Sequence, residues 1–75
     1  MPELSSIKSQ ALTERIEERL FEYILDNHLK VGAKLPTEHE LAAHFEVSRG
    51  TVREAVRLLV SRGVLRVKHG SGTYV

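Results

Sequence analysis

Two helix-start signals stand close together in the middle of this 75-residue chain. Thr37 and Glu40 form the first, a capping box in which the threonine accepts from the amide three residues on and the glutamate reaches back to the cap amide. Ser48 is the second, because a serine that precedes an apolar pattern of helical period is a favoured N-cap. The sequence therefore predicts two short helices, residues 38–45 and 49–62, joined by a tight turn at residues 46 and 47.

An amphipathic helix is predicted ahead of this pair, over residues 11–29. Apolar side chains recur at steps of three and four residues and form one face, at Leu12, Ile16, Leu20, Tyr23 and Ile24. Ser9 and Thr13 are both possible N-caps, so two starting points stay open. Gly32 is predicted to end the helix because glycine readily takes a positive φ. The pattern is that of a scaffold helix that packs against the other two.

The hydrophobic period changes after Gly63, which is predicted to stop the third helix. Residues 64–68 alternate as a strand does, with Leu65 and Val67 on one face and Arg66 and Lys68 on the other. A glycine-rich turn follows at residues 69–72, and residues 73–75 are predicted to pair back as a hairpin. The predicted fold class is mainly α with a small β-hairpin, a three-helix winged helix-turn-helix. It occupies residues 11–75, after a flexible N-terminal tail at residues 1–10.

Composition argues against several classes of protein. The chain has no cysteine, so neither a disulfide framework nor a thiolate metal site is expected, which fits a cytoplasmic location. No apolar run approaches the roughly 20 residues that span a membrane, so no membrane partner is expected. The short polar N-terminus lacks the apolar segment of a signal peptide. A chain of this length forms one small domain.

Charge is distributed unevenly along the chain, although the net value is only +1. Residues 1–32 carry four Lys or Arg and six Asp or Glu, a net charge of −2. Residues 33–75 carry seven Lys or Arg and four Asp or Glu, a net charge of +3. The basic part contains the paired helices and the hairpin. A local basic face of this kind can bind phosphates even on a nearly neutral chain.

The first turns of the third helix combine hydroxyl groups and arginines. Ser48 and Thr51 stand beside Arg49 and Arg53, at the end of the helix that meets base edges and phosphates in a helix-turn-helix. Binding of double-stranded DNA needs positive charge and hydrogen-bond donors at fixed spacing, and this helix has both. The sequence therefore predicts a DNA-binding function.

Four ordered motifs then identify a resemblance that covers nearly the whole chain. They are Gly-x-x-Leu-Pro-x-Glu-x-Glu-Leu-Ala, Val-Ser-Arg-x-x-Val-Arg-Glu-Ala, Leu-x-x-x-Gly and Gly-x-Gly-Thr-Tyr-Val. In these the chain resembles the N-terminal DNA-binding domain of GntR-family transcriptional regulators. The Val-Arg-Glu-Ala motif and the His-Gly turn in the wing are most similar to the FadR-like branch.

The resemblance implies a larger protein than these residues form. Regulators of the FadR-like branch have a second, all-helical domain that binds a small acid metabolite as effector. That domain is not in this chain, so we expect the chain to be part of a longer protein. The resemblance also implies a cytoplasmic homodimer on a short two-fold operator, since each head reads one half-site.

Eleven residues are candidates for DNA contact. Carried over from the resemblance, Arg49 and Arg53 are expected to read base edges, because an arginine fork can hold guanine O6 and N7 together. Hydroxyl groups, a helix N-terminus and the wing tip are expected to supply phosphate and minor-groove contacts. The full set is Thr37, His39, Ser48, Arg49, Gly50, Thr51, Arg53, Arg57, Lys68, His69 and Gly70.

Several of these positions keep alternative interpretations open. Ser48 caps its helix in any case, and Gly50 either lets the DNA backbone approach or has no special role. Arg57 can meet a phosphate or pair with Glu54 of its own helix. Arg66 of the wing, which is not one of the eleven, can equally be a plain solvated strand residue or a DNA contact.

Two positions depart from the family pattern. His39 stands where the family often has a DNA-contacting arginine, so any contact that it makes depends on imidazole protonation. Glu46 occupies the turn, where a residue that accepts turn geometry more easily is expected. It also puts a negative charge near the DNA face.

Other functions have weaker support in the sequence. No two of the four histidines are spaced i and i+4 on one helix, they form no His-Glu-x-x-His motif, and no catalytic constellation is recognisable, so no enzyme, metal or cofactor is expected. A winged helix can instead serve protein–protein or RNA contacts. A winged helix with one of those functions would not need Arg49 and Arg53 close together next to a basic wing. A third possibility, also known in the family, is a head joined to an aminotransferase-like domain.

Overall fold

Three helices and a two-stranded hairpin form the domain, as the sequence predicts. A computed structural model describes residues 7–75. The elements in chain order are α1 (Ile7–Asp26), α2 (Glu38–Phe45), α3 (Arg49–Ser61), β1 (Arg66–Lys68) and β2 (Gly72–Tyr74). The bounds of α2 agree with the prediction, and α3 ends one residue before the predicted end.

The first helix differs from its prediction at both ends. It begins at Ile7, so residues 7–10 are helical instead of belonging to a flexible tail, and Ser9 and Thr13 lie inside the helix instead of capping it. Nothing between residues 7 and 13 is a glycine or proline that would stop a helix there. The rest of the expected tail, residues 1–6, lies outside the described residues.

The end of α1 comes before Gly32, because His28 takes the left-handed conformation that the sequence assigns to the glycine. His28 has a φ of 53°, and its amide donates to the Leu25 carbonyl at 3.1 Å. The Leu29 amide donates to the Ile24 carbonyl at 3.0 Å, which completes the hydrogen-bond pair of a Schellman motif. Gly32, with a φ of 97°, serves a later turn before α2.

Both predicted helix caps are present. The Thr37 hydroxyl accepts from the Glu40 amide at 3.1 Å, while the Thr37 amide donates to the Glu40 carboxylate at 2.8 Å. This second bond lowers the pKa of Glu40, because the backbone amide of Thr37 stabilises the charged carboxylate. The Ser48 hydroxyl accepts from the Thr51 amide at 3.1 Å. These caps set where α2 and α3 begin, and hence which side chains stand at their tips.

The core lies where the three helices meet, and two residues outside the helices extend it. Leu35 enters it just before α2, and Leu65 enters it just before β1. The full set of buried residues is Ile16, Leu20, Ile24, Leu35, Leu41, Ala42, Val52, Ala55, Leu59 and Leu65. Leu12, predicted on the core face of α1, is exposed near the N-terminal end of that helix. Burial of one face of α3 leaves its arginines on the outside.

The hairpin is antiparallel and pairs Arg66 with Tyr74, Val67 with Thr73, and Lys68 with Gly72. A third stretch of chain joins it, which the sequence does not predict. The Leu35 amide donates to the Thr73 carbonyl, and the Val75 amide donates to the Ala33 carbonyl, each at 2.8 Å. The segment before α2 therefore ties the wing to the start of that helix.

The two apolar residues that the sequence assigns to one face of the first strand, Leu65 and Val67, differ in burial. Leu65 is buried and precedes the strand, whereas Val67 is 55% exposed. The reason is tertiary: Leu65 follows α3 directly into the core, its amide bonded to the Leu59 carbonyl, whereas β1 projects beyond the helices. Val67 instead lines an open cleft between the wing and α3.

Strain at Glu46 gives the first prediction. Glu46 has a φ of 57° and a ψ of 47°, and it ends α2 in the left-handed conformation that penalises a Cβ atom. Glu46→Gly is expected to be more stable than Glu46→Ala by about 1 kcal/mol, because both variants remove the charge but only glycine removes the Cβ. Urea unfolding of the two variants measures the difference. Equal unfolding free energies would show that the turn carries no such strain.

Candidate nucleic-acid interface

The exposed tip of α3 brings together the polar residues that cap it. The Ser48 and Thr51 hydroxyls lie 3.0 Å apart, and the Thr51 amide donates to the Ser48 oxygen. Gly50 lies between them on the surface, and a Cβ added there would meet only the Ser48 hydroxyl at an ordinary 3.8 Å. The folded chain therefore does not itself require glycine at residue 50, and a ligand can approach the backbone closely there.

Arg49 and Arg53 stand one turn apart on α3, and both reach the same carboxylate on α2. The Arg49 Nε lies 3.1 Å from Glu38 Oε1. The Arg53 Nη2 lies 2.9 Å from the same oxygen, and its Nε lies 2.9 Å from Oε2. The arginine side chains are 62% and 51% exposed, and the glutamate side chain is 29% exposed. The tip of the helix thus presents two aligned guanidinium groups to solvent.

Protonation states at this cluster follow from the hydrogen bonds. The bond from Arg53 is the main cause that holds the pKa of Glu38 below its ordinary value, with the bond from Arg49 acting in the same direction and partial burial opposing both. The same bond raises the pKa of the Arg53 guanidinium. The cluster therefore carries two positive charges and one negative charge at neutral pH.

Arg57 lies one turn further along α3. Of the two roles that the sequence leaves open for it, the structure has the ion pair with Glu54, at 3.0 Å between Nη1 and Oε1. Both side chains are mostly exposed, and such surface pairs are weak and easily exchanged. The pair therefore leaves Arg57 available to a stronger anionic ligand.

The start of α2 holds Thr37 and His39, one on each side of Glu38 in the sequence. The amide and hydroxyl oxygen of Thr37 are engaged in the capping box, which leaves its hydroxyl hydrogen as a donor. His39 is exposed beside them. Its place on the first turn of a helix suits contact with an anion, because the helix dipole is positive there.

The wing tip carries the remaining candidates, Lys68, His69 and Gly70, all of which are exposed. Gly70 has a φ of 73°, a turn conformation that a residue with a Cβ rarely adopts. The Lys68 ammonium lies 5.5 Å from the centre of the Tyr74 ring, which holds it along the hairpin.

A cleft open to solvent separates the wing from α3 and α2. Its lining includes Arg53 and Arg57 from α3, Glu38 from α2, and Val67 and His69 from the wing. Arg53 and Arg57 thus stand on the helical wall, and His69 and Thr73 are the polar side chains of the wing wall. The hairpin itself carries Arg66 and Lys68, and no acidic residue follows Glu54 in the sequence. An extended polyanion can lie across this surface with contacts on both sides.

Within residues 7–75, no three His, Cys, Asp or Glu side chains come together as metal ligands would. No helix in that range has the length and apolar character needed to cross a membrane.

The fold and this surface define the class of protein: a winged helix-turn-helix domain with a basic recognition face. The profile of the bacterial regulatory proteins of the GntR family matches residues 12–75. The chain therefore belongs to the GntR family of bacterial regulatory proteins.

Curated relatives and solved structures agree with this assignment. The chain is 48% identical over 64 residues to the mannosyl-D-glycerate transport/metabolism system repressor of Escherichia coli, a match that covers 85% of this chain and 27% of the repressor. It is 41% identical over 64 residues to the putative L-lactate dehydrogenase operon regulatory protein of the same organism, covering 85% of this chain and 25% of that protein. The chain thus spans about a quarter of the length of these relatives.

Two solved structures share the fold. Streptococcus agalactiae GntR is 51% identical with a TM-score of 0.79, over 84% of this chain and 31% of that one. The AraR DNA-binding domain, solved in complex with operator ORX1, is 38% identical with a TM-score of 0.80, over 85% of this chain and 77% of that one. The domain fold of this chain is therefore that of a GntR-type DNA-binding domain.

Glu38 is the residue of this surface that sequence reasoning missed. It appears in the family motif, but its position in the capped turn of α2 gives no sign that two arginines of another helix bind it. The spacing of Arg49 and Arg53, which puts both on one helix face, was a partial signal. Only the packing of α2 against α3 shows which carboxylate lies between them.

Proposed function

We propose that this chain binds double-stranded DNA sequence-specifically, as the DNA-binding head of a bacterial transcription regulator. The observation that carries the proposal is the pair of exposed guanidinium groups, Arg49 and Arg53, held on one carboxylate at the tip of α3. In a helix-turn-helix, the start of the second helix of the pair, here α3, enters the major groove. Guanidinium groups at that position suit the guanine edge. The family and the AraR–operator complex support the same function.

The other candidates fit supporting roles around the arginines. Ser48 and Thr51 can donate hydroxyl hydrogens to a phosphate, and Gly50 lets the backbone approach. Thr37 and His39 face the neighbouring phosphates from the start of α2. The basic side chains of the wing suit the minor groove, whose negative potential attracts cations. In this arrangement Arg57 exchanges Glu54 for a phosphate.

Finer features of the regulator rest on the motif resemblance. The full-length protein is proposed to be a cytoplasmic homodimer of the FadR-like branch, with a further domain that binds a small acid effector and controls operator binding. The Val-Arg-Glu-Ala motif at residues 52–55 supports this branch. The relatives named above are a repressor of a mannosyl-D-glycerate transport/metabolism system and a putative regulatory protein of an L-lactate dehydrogenase operon, so they support control of a metabolic system without singling out one branch.

Salt dependence tests the proposed function directly. Affinity for duplex DNA is expected to fall linearly with the logarithm of salt concentration, with a slope of about −0.9 for each phosphate neutralised. Arg57→Ala should make the slope shallower by about 1, because it removes one phosphate contact. Fluorescence anisotropy with labelled duplexes at several salt concentrations measures both.

Competing binding modes give different results in the same titration. Tight binding that is indifferent to salt would refute the DNA proposal in favour of a protein-contact module. An A-form RNA duplex of the same sequence serves as the second ligand, since its deep, narrow major groove does not admit side chains. Preference for the RNA would identify an RNA-binding winged helix instead.

A further inference from the structure

We infer that Glu38 is a positioning residue that sets sequence specificity by holding Arg49 and Arg53 in one arrangement before DNA arrives. The inference rests on the proposed DNA-binding function. It assigns to α2 a part in base discrimination, although α2 need not touch a base. The argument depends on which edges of the guanidinium groups the carboxylate occupies.

The carboxylate holds Arg53 along one side and leaves the end of the fork free. Glu38 Oε2 accepts from Nε of Arg53 and Oε1 accepts from its Nη2, so the pair is bidentate and planar. The guanidinium is rigid, so its Nη1–Nη2 end points away from the carboxylate. That end presents two parallel donors, which match the O6 and N7 acceptors of guanine. Glu38 and a guanine can therefore bind Arg53 simultaneously.

Arg49 is oriented through the same oxygen. Its Nε donates to Oε1 at 3.1 Å, so the carboxylate engages the Nε and leaves both Nη groups available to another acceptor. Sharing one acceptor atom fixes the two guanidinium groups relative to each other, in addition to fixing each one relative to the helix. The spacing of the two forks, and hence of the base pairs that they can read, depends on this shared oxygen.

Glu38 is itself held in place by the local structure of α2. It is the first residue of the helix, directly after Thr37, whose capping box fixes the turn, and Leu41 anchors the helix in the core. Its side chain is only 29% exposed. Because the carboxylate already orders the two long arginine side chains in the free protein, they lose less conformational entropy when they bind DNA. Pre-ordering of this kind favours the DNA that fits the fixed forks.

The negative charge of Glu38 weakens binding to DNA of any sequence, whereas its positioning role strengthens binding to the preferred sequence. A carboxylate on the DNA face repels phosphates of any sequence, so its removal lowers that repulsion. Loss of Glu38 is therefore expected to weaken binding to preferred DNA and to leave binding to scrambled DNA unchanged or tighter. A residue that merely stabilised the fold would weaken both by the same factor.

The experiment compares Glu38→Ala with the unsubstituted chain on two duplexes. The preferred duplex is selected from a random pool by the unsubstituted chain, and the second is its scrambled version. Glu38→Ala is expected to lower the ratio of the two affinities about tenfold, the scale of one well-oriented arginine–guanine contact. Glu22→Ala is the matched control, because it makes the same substitution at an exposed acidic residue of α1, away from the arginines of α3. Its ratio should equal that of the unsubstituted chain.

A conservative variant and a measurement without DNA guard against a folding defect. Glu38→Gln keeps one carbonyl acceptor and should recover part of the ratio. In the free protein, the Nε–H signals of Arg49 and Arg53 in ¹H–¹⁵N spectra should shift and exchange faster in Glu38→Ala, while backbone amide signals of the core keep their positions.

The outcomes distinguish the positioning role of Glu38 from the DNA-binding function on which that role rests. An unchanged affinity ratio in Glu38→Ala, or tighter binding of the preferred duplex, overturns the positioning role and leaves DNA binding intact. Failure of the unsubstituted chain to select any sequence overturns both. A reduced ratio with partial recovery in Glu38→Gln supports the inference.

Discussion

Arg49→Ala is expected to abolish the preference for operator over scrambled DNA while leaving the melting temperature of the domain unchanged. The side chain is 62% exposed and contacts the Glu38 carboxylate, so its loss removes little from the fold. A bidentate arginine–guanine contact is worth about 1–3 kcal/mol of discrimination, or roughly 5- to 150-fold in relative affinity. Competition binding with selected and scrambled duplexes measures the ratio, and circular dichroism measures the melting.

Two control variants separate the shape of the Arg49 side chain from its charge. Arg49→Lys keeps the charge but lacks the planar fork, so it should retain the salt dependence and lose the discrimination. Arg19→Ala removes an exposed arginine from α1 and should change neither. Undiminished discrimination by Arg49→Ala, with native melting, would show that base readout lies elsewhere.

The largest loss of stability is expected from Leu59→Ala. Leu59 is fully buried on the core face of α3, between the helix that carries the arginines and α1. Truncation of a buried leucine costs about 2–5 kcal/mol, because it removes apolar contact and leaves a cavity. Small domains have a total stability at the low end of about 5–15 kcal/mol. We expect the melting temperature to fall by roughly 10–30 °C and a visible fraction of the variant to be unfolded at 37 °C.

The neighbouring leucine provides a control of identical chemistry. Leu58 is 38% exposed, so Leu58→Ala removes the same atoms from a helix of the same propensity without opening a core cavity. Its cost should be well below that of Leu59→Ala, about 1 kcal/mol or less. Equal losses in the two variants, measured by urea unfolding, would contradict the burial on which the core description depends.

Local signals made much of the recognition unit predictable. The capping box at Thr37 and the serine cap at Ser48 depend on residues three positions apart, so they form wherever that sequence begins a helix. The structure confirms both starts, the bounds of α2 and the hairpin. The roles of the candidate DNA-contacting residues stay predictions, since they depend on a partner that the sequence only implies.

The predicted end of α1 was wrong because more than one residue near that end could take the required conformation. Several residues can take the left-handed conformation that ends a helix, and His28 does so before the expected Gly32. The burial of Val67 was left open by the sequence, because an alternating pattern gives a period of two without saying which residues have a layer to pack against. Glu46 was recognised as irregular, and the structure places it in the left-handed region.

The sequence by itself determined the winged helix class, the helix tips and the residues displayed on them, because caps, periodicity and glycine turns act over a few neighbouring residues. Tertiary structure alone decided which of those residues meet. Packing of α2 across α3 brings Glu38 within 3.1 Å of both arginines at the tip of α3, 11 and 15 residues away along the chain. Pairing of residues 33–35 with the last strand likewise fixes the wing beside them. Such contacts follow from how buried faces fit together, which no short stretch of sequence specifies.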